Sequence, residues 1–197
     1  MTARPNDLRP SASGITLDAF LDALEAPAPS PCGGTAAAVS AAMAAALVAM
    51  VGRGSETWPD GAGIAAQAKA LRTRLMILGE DDATVFGQVL VTMRDRSGTP
   101  AQRDFALGAA LVRAAEVPLR IGEAAADVAE LAALAAIEGA PHLRPDAAAA
   151  AVIAEAAVRA ATHLVEINLA VIPGDRHSES AARLSDAAAA ARDRALR

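Results

Sequence analysis

The chain has 197 residues, which is enough for one domain with a single sizeable core. Only 2% of its residues are aromatic and tyrosine is absent, which argues against a β-sandwich or barrel, because those folds rely on aromatic and β-branched side chains. The formal charge is −5, Lys69 is the one lysine, and no Lys/Arg cluster stands out, so a nucleic-acid-binding surface is not expected. The abundance of Ala, Leu, Arg and Glu predicts an all-α fold.

Residues 1–15 are polar and rich in proline, which predicts a disordered tail ahead of one helical domain spanning residues 16–197. This segment lacks the apolar core of a secretory signal, and the single cysteine, Cys32, excludes an internal disulfide. A cytoplasmic location is therefore expected. Thr16 is predicted to cap a short amphipathic helix, which the prolines at 27, 29 and 31 end.

The segment Ser30-Pro31-Cys32-Gly33-Gly34-Thr35 precedes an uncharged, Ala-rich run over residues 36–51. The paired glycines allow close backbone approach, and Thr35 is predicted to cap the helix that follows. A helix start of this kind attracts electron-rich groups, and the same pattern also suits a plain tight turn. The run is too short and too Ala-rich to favour a membrane span, so we predict the central helix of a soluble bundle. Its predicted anchors recur at helical spacing as Val39, Met43, Leu47 and Met50.

Residues 52–63 are predicted to form a loop in which Trp58 either packs the loop down or covers a site. A long helix is then predicted over about residues 64–93. Asp82 occupies an apolar position of its seam, where a carboxylate is expensive unless it is paired or hydrogen-bonded. It is therefore either the buried partner of an arginine or a group whose pKa is used in chemistry. The seam consists of Leu71, Leu75, Leu78, Asp82, Val85 and Val89.

Thr99, Pro100 and Gln102 together form a strong helix-start signal. Pro118 interrupts the pattern and either kinks the helix or starts a new one. A turn is predicted over residues 139–145, an Ala-rich helix over about 146–171, a break at 173–175 and a polar helix over about 178–197. No histidine has metal-ligand spacing, so no metal site is expected. The predicted apolar face of the Ala-rich helix includes Val152, Ile153, His163, Leu164 and Ile167.

These segments resemble the cyclodeaminase/cyclohydrolase family, which includes methenyltetrahydrofolate cyclohydrolases and the deaminase half of formiminotransferase-cyclodeaminase. The resemblance covers roughly residues 16–175. It is most specific at residues 30–37, which are similar to the family's Thr-Pro-Gly-Gly-Gly-Ser segment, and at Asp81-Asp82 with Phe86. Further matches fall at Arg103, Val117-Pro118, Gly139, Asp146 and Asn168, while Cys32, Ala140, Pro145 and Leu164 stand where the family has other residues.

The resemblance implies an enzyme that adds or removes water or ammonia at an amidine-like carbon, with 5,10-methenyltetrahydrofolate as the substrate to test first. It implies a homodimer with no bound cofactor, since the tetrahydrofolate derivative is the substrate. A cationic one-carbon bridge needs a nearby carboxylate, for which Asp82 is the first candidate and Asp146 the second. Two alternatives stay open: a relative recruited to another cyclic imine or amidine, and a non-catalytic binding or scaffold bundle. The candidate substrate-binding residues are Pro31, Cys32, Gly33, Gly34, Thr35, Arg103, Pro118, Arg120 and Asn168.

Overall fold

A computed structural model describes residues 14–26, 31–169 and 176–197. Within these ranges the chain forms six α-helices and one 3-10 turn and has no strand, which confirms the all-α prediction. The predicted tail up to residue 13, the prolines at 27 and 29 and the break at 173–175 lie outside the described residues. The helices are α1 (Leu17–Glu25), α2 (Gly33–Gly54), α3 (Gly61–Arg94), α4 (Pro100–Glu138), α5 (Arg144–Leu169) and α6 (Arg176–Ala195), with the 3-10 turn at Pro141–Leu143.

Two of the three predicted helix caps are present. The Thr16 hydroxyl accepts a hydrogen bond from Ala19 N at 3.2 Å. Thr99 and Gln102 form a reciprocal capping box at the start of α4, with Pro100 in the first turn. The prediction for Thr35 was wrong, because α2 begins two residues earlier and Cys32 occupies its N-cap position.

The connections also differ from the predicted ones. The loop after α2 is confined to residues 55–60, and Trp58 is buried there, so it packs the loop down. Gly52 and Gly61 approach so closely that a Cβ on either would lie within 2.6 Å of the other's carbonyl oxygen. Pro118 does not start a new helix, because it lies inside α4, which is continuous over its 39 residues.

α2 is the central helix of the bundle, as predicted: it packs against α3, α4 and α5, and α6 lies across α4 and α5. By length and composition, α2 and the segment Pro141–Leu169 are apolar enough to cross a membrane. Burial inside the bundle reaches 61% for α2 and 50% for the second segment, so each already has protein neighbours over much of its surface. The expected absence of a membrane span stays a prediction.

Alanine makes up most of the interior, and several of the larger apolar side chains of α2 and α5 face outward. Met43 and Met50, two predicted anchors of α2, are 50% and 37% exposed. Val152, Ile167 and His163, on the predicted apolar face of α5, are also exposed. The prediction was wrong for these residues, whereas Leu47 and Ile153 pack against the core as predicted. Small side chains on facing helices allow the helix axes to approach closely, which leaves little room for large side chains between them. The fully buried alanines include Ala38, Ala41, Ala44, Ala45, Ala124, Ala125, Ala129, Ala150, Ala154 and Ala161.

Candidate active site

A buried carboxylate faces the first turn of α2. Asp82 lies on the core side of α3 and is only 6% exposed. The Cys32 thiol donates a hydrogen bond to its Oδ2 at 3.0 Å, and the backbone N–H of Thr35 also hydrogen-bonds the carboxylate. No arginine pairs with Asp82 within the described ranges, so the predicted alternative of a buried ion pair is not supported there.

Glycine is required at position 34 because α3 is so close. A Cβ on Gly34 would lie 2.3 Å from Asp82 Oδ1, well inside van der Waals contact. The Thr35 hydroxyl, which was predicted to cap α2, instead donates to Gly79 O at 3.0 Å and ties the two helices together. The Gly33-Gly34 pair therefore lets the backbone of α2 approach the carboxylate on α3.

Burial sets the protonation behaviour of both side chains. It raises the pKa of Asp82, and the hydrogen bonds from Cys32 and Thr35 oppose that change. Burial, followed by the hydrogen bond to Asp82 and its charge, raises the pKa of Cys32 from 9.0 to about 12. Cys32 is therefore a neutral thiol that donates a hydrogen bond, and its position at a helix N-terminus does not make it a nucleophile.

Five of the predicted binding residues lie together at this end of the bundle: Pro31, Cys32, Gly33, Gly34 and Thr35 lead into α2 beside Asp82. Leu164 of α5 flanks the same turn, with its Cδ1 3.8 Å from where a Cβ on Gly33 would lie. The site thus combines a buried carboxylate, a neutral thiol, the exposed backbone of Gly33 and the apolar side chain of Leu164. A buried carboxylate without a cationic partner favours a ligand that carries positive charge.

Both the sequence pattern and the fold occur in known proteins. The family model for formiminotransferase-cyclodeaminase matches residues 16–189. The chain belongs to this family. A curated member, the methenyltetrahydrofolate cyclohydrolase of Methylorubrum extorquens, is 33% identical over 167 residues, which cover 80% of each chain. The crystal structure of formiminotetrahydrofolate cyclodeaminase from Thermotoga maritima has the same fold, with a TM-score of 0.80 at 24% identity over 93% of this chain and 94% of that one.

In this cyclodeaminase-family chain, two other predicted residues are linked to each other. Pro118 is buried inside α4 and has no N–H to donate to the carbonyl of residue 114, four positions earlier. Asn168 Nδ2 of α5 donates to that same carbonyl, Ala114 O, at 3.1 Å. The Asn168 amide therefore satisfies a hydrogen-bond acceptor that the proline leaves without its helical partner. Whether either residue also contacts substrate stays a prediction.

Asp146, the second catalytic candidate, lies at the other end of α2. It is in the first turn of α5, where a carboxylate also stabilises the helix dipole, and Leu143 just before it packs on Gly54. At a rise of 1.5 Å per residue, Gly34 and Gly54 are about 30 Å apart along α2. Within one chain Asp146 and Asp82 therefore do not share a site, and the catalytic role of Asp146 stays a prediction.

The two predicted substrate-binding arginines also lie apart from Asp82's hydrogen-bond partners. Arg103 donates to Gly98 O at 2.9 Å and to Arg96 O at 3.5 Å, so its guanidinium holds the loop between α3 and α4. Arg120 is exposed on α4. The contacts of Arg103 and Arg120 therefore do not show that either arginine binds a substrate carboxylate.

Sequence reasoning missed a group of cations that the fold assembles. Arg53 near the end of α2 and Lys69 and Arg72 of α3 line one cavity of about 280 Å³. Lys69 and Arg72 are three residues apart, so the sequence alone was enough to place them on one face of a helix. Arg53 joins them only because α2 and α3 are antiparallel, so a linear search for charge clusters did not find the group.

A larger cavity of about 650 Å³ lies between α5 and α6. Its two buried polar residues have partners, since Glu155 pairs with Arg192 at 3.3 Å and the hydroxyls of Thr162 and Ser185 are hydrogen-bonded at 3.0 Å. Within the part of the chain that the structure describes, no three His, Cys, Asp or Glu side chains converge as metal ligands would. The candidate active site is therefore assigned by the buried carboxylate and not by cavity size.

Proposed function

We propose that the chain hydrolyses the methenyl bridge of 5,10-methenyltetrahydrofolate to give the 10-formyl derivative. The observation that carries this proposal is the buried Asp82 carboxylate, which has hydrogen-bond donors but no cationic partner within the described ranges. Family membership and a relative named methenyltetrahydrofolate cyclohydrolase support the same reaction. The substrate itself carries the one-carbon unit, so the proposal requires no bound cofactor.

The bridge carbon is cationic, and a carboxylate in a site of low dielectric attracts it strongly. The flat ring system lies against the exposed backbone of Gly33, which brings the bridge towards Asp82. Leu164 forms an apolar wall beside it. Cys32, whose raised pKa keeps it protonated, holds the carboxylate in place without competing as a nucleophile.

The reaction needs one group that takes up and returns a proton. As the oxygen of water bonds to the bridge carbon, Asp82 accepts a proton from that water and a neutral hydroxyl adduct forms. The bond between the carbon and N5 then breaks while Asp82 returns its proton to N5. The adduct's hydroxyl proton leaves to solvent as the formyl C=O forms, so one proton is released per turnover. A raised pKa suits Asp82 to this exchange, because it makes the carboxylate a stronger base near neutral pH.

The test measures loss of the bridged chromophore with the purified protein and with Asp82→Asn. We expect the variant to lose turnover by about 10²-fold or more, as is typical when a general base is removed. Asp81→Asn is the matched control, since Asp81 is the adjacent residue of α3 but is exposed. Its turnover should stay near that of the natural protein.

The melting temperature separates catalysis from structure. Because burial raises the pKa of Asp82, ionisation of this group weakens the fold as the pH rises through that pKa. At neutral pH, Asp82→Asn should therefore melt no lower than the natural protein. A variant that unfolds readily would assign Asp82 a structural role, and a natural protein without activity on the folate would overturn the proposed reaction.

We also propose that the enzyme is a cytoplasmic homodimer. A second copy would cover the outward face of α2, where Val39 is partly buried and Met43 and Met50 are exposed. The single free thiol at Cys32 is consistent with a reducing compartment. Light scattering in dilute solution tests the assembly, and a strictly monomeric natural protein would refute the dimer. If the outward face of α2 forms the interface, the double variant Met43→Glu/Met50→Glu should be monomeric.

A further inference from the structure

We propose that Arg53, Lys69 and Arg72 bind the carboxylates at the glutamate end of the folate substrate, whose reactive bridge lies at Asp82. This inference rests on the proposed function. The three cations come from two antiparallel helices and line one cavity of about 280 Å³. Its remaining walls are formed by the small side chains of Ala45, Ala46 and Ala49.

The cations have no counter-ion of their own within the described ranges. No ion pair there includes Arg53, Lys69 or Arg72, whereas Arg74, on the same helix, pairs with Glu123 at 3.7 Å. The chain as a whole has an excess of acidic residues, with 23 Asp and Glu against 18 Lys and Arg. Three like charges around one cavity repel one another, and an anionic ligand would offset that repulsion.

Along the axis of α3 the spacing suits one extended ligand, which would pass from the face that carries Asp82 to the face that carries Lys69 and Arg72. Arg72 and Lys69 precede Asp82 on α3 by 10 and 13 residues, which corresponds to about 15 and 20 Å along the helix axis. The long side chains of Arg and Lys shorten the gap that the ligand has to cover. A folate has this layout, because a benzoyl-glutamate arm separates its two carboxylates from the bridged ring system.

The chemistry of the three side chains also suits carboxylates. A guanidinium forms paired hydrogen bonds to a carboxylate, and an ammonium adds a compact charge with several donors. Arg53, Lys69 and Arg72 are exposed, so salt should weaken the interaction. This cluster therefore supplies the cationic partner that Arg103, which is engaged by its loop, does not.

The kinetic test compares 5,10-methenyltetrahydrofolate with the same bridged compound lacking glutamate, 5,10-methenyltetrahydropteroate. In the variant Arg53→Gln/Lys69→Gln/Arg72→Gln, we expect the KM for the folate to rise about tenfold or more, as the loss of at least one charge-assisted contact predicts. The KM for the pteroate and both kcat values should change by less than about twofold. Arg74→Gln is the matched control and should change neither KM. An equal effect on both substrates, or no effect, would overturn the proposal.

A binding test keeps this inference separate from the proposed reaction. N-(4-aminobenzoyl)-L-glutamate is titrated calorimetrically into the natural protein, the triple variant and Arg74→Gln at low ionic strength. Binding that weakens about tenfold only in the triple variant supports the carboxylate site even if no folate is turned over. If the natural protein does not bind this compound, or if the triple variant binds it equally well, the carboxylate site is refuted whatever the turnover.

Discussion

The contact between α5 and the proline of α4 leads to a double-mutant prediction. Pro118 cannot donate to Ala114 O, and Asn168 Nδ2 does so at 3.1 Å. Asn168→Ala removes this donor and leaves an acceptor in the α4–α5 interface without a partner. The expected loss is about 1–3 kcal/mol of unfolding free energy. In a domain of this size it corresponds to a fall in melting temperature of roughly 2–12 °C.

Asn168→Ala should lower the unfolding free energy much less when residue 118 has an N–H group to donate. In Pro118→Ala the new N–H of residue 118 hydrogen-bonds Ala114 O within the helix, so the Asn168 amide is no longer needed there. The double-mutant cycle, measured by urea unfolding followed by circular dichroism, should give a coupling of about 0.5–3 kcal/mol. Equal costs of Asn168→Ala in both backgrounds would refute the reasoning and would leave Asn168 available for a role at the substrate.

Three further predictions concern the Asp82 site. Gly34→Ala should lower both stability and turnover, because its Cβ would lie 2.3 Å from Asp82 Oδ1. The control Gly108→Ala has open space around the new Cβ and should stabilise the helix by up to about 1 kcal/mol. Thermal melts and the folate assay on both variants test this prediction. Iodoacetamide should alkylate Cys32 about 10³-fold more slowly in the folded protein than in urea, since its pKa is raised from 9.0 to about 12; equal rates would contradict that shift. Cys32→Ala removes a hydrogen bond that lowers the pKa of Asp82, so the acid limb of the profile of kcat/KM against pH should move to higher pH, and a move to lower pH would contradict the assigned contact.

Local signals in the sequence predicted most of the helices. The capping box at Thr99 predicted the start of α4, because its partners lie three residues apart. The apolar seam of α3 predicted that Asp82 is buried, since a helical period fixes which side chains share a face. Helix boundaries were less accurate: α2 starts two residues before Thr35 and ends two residues after Gly52.

The contacts that define the site join positions far apart in sequence. Cys32 and Asp82 are 50 residues apart, and their hydrogen bond exists only because α2 and α3 run antiparallel at close distance. The same pairing assembles Arg53 with Lys69, and the crossing of α4 and α5 joins Asn168 to Ala114. No periodicity within one helix contains this information. Hydropathy also misled, because it ranks methionine above alanine for the core, whereas Met43 is exposed and Ala44 is buried.

The alanine interior makes the effect of random substitution asymmetric. In most proteins, core residues can be truncated to leave a cavity, but a buried alanine such as Ala38, Ala125 or Ala154 has only one methyl group to lose. Nearly every other replacement adds volume between helices that already touch, and such enlargement strains the backbone. We therefore expect this core to tolerate mainly exchanges among alanine, glycine and serine, whereas the outward methionines and isoleucines should tolerate a wider range of substitutions.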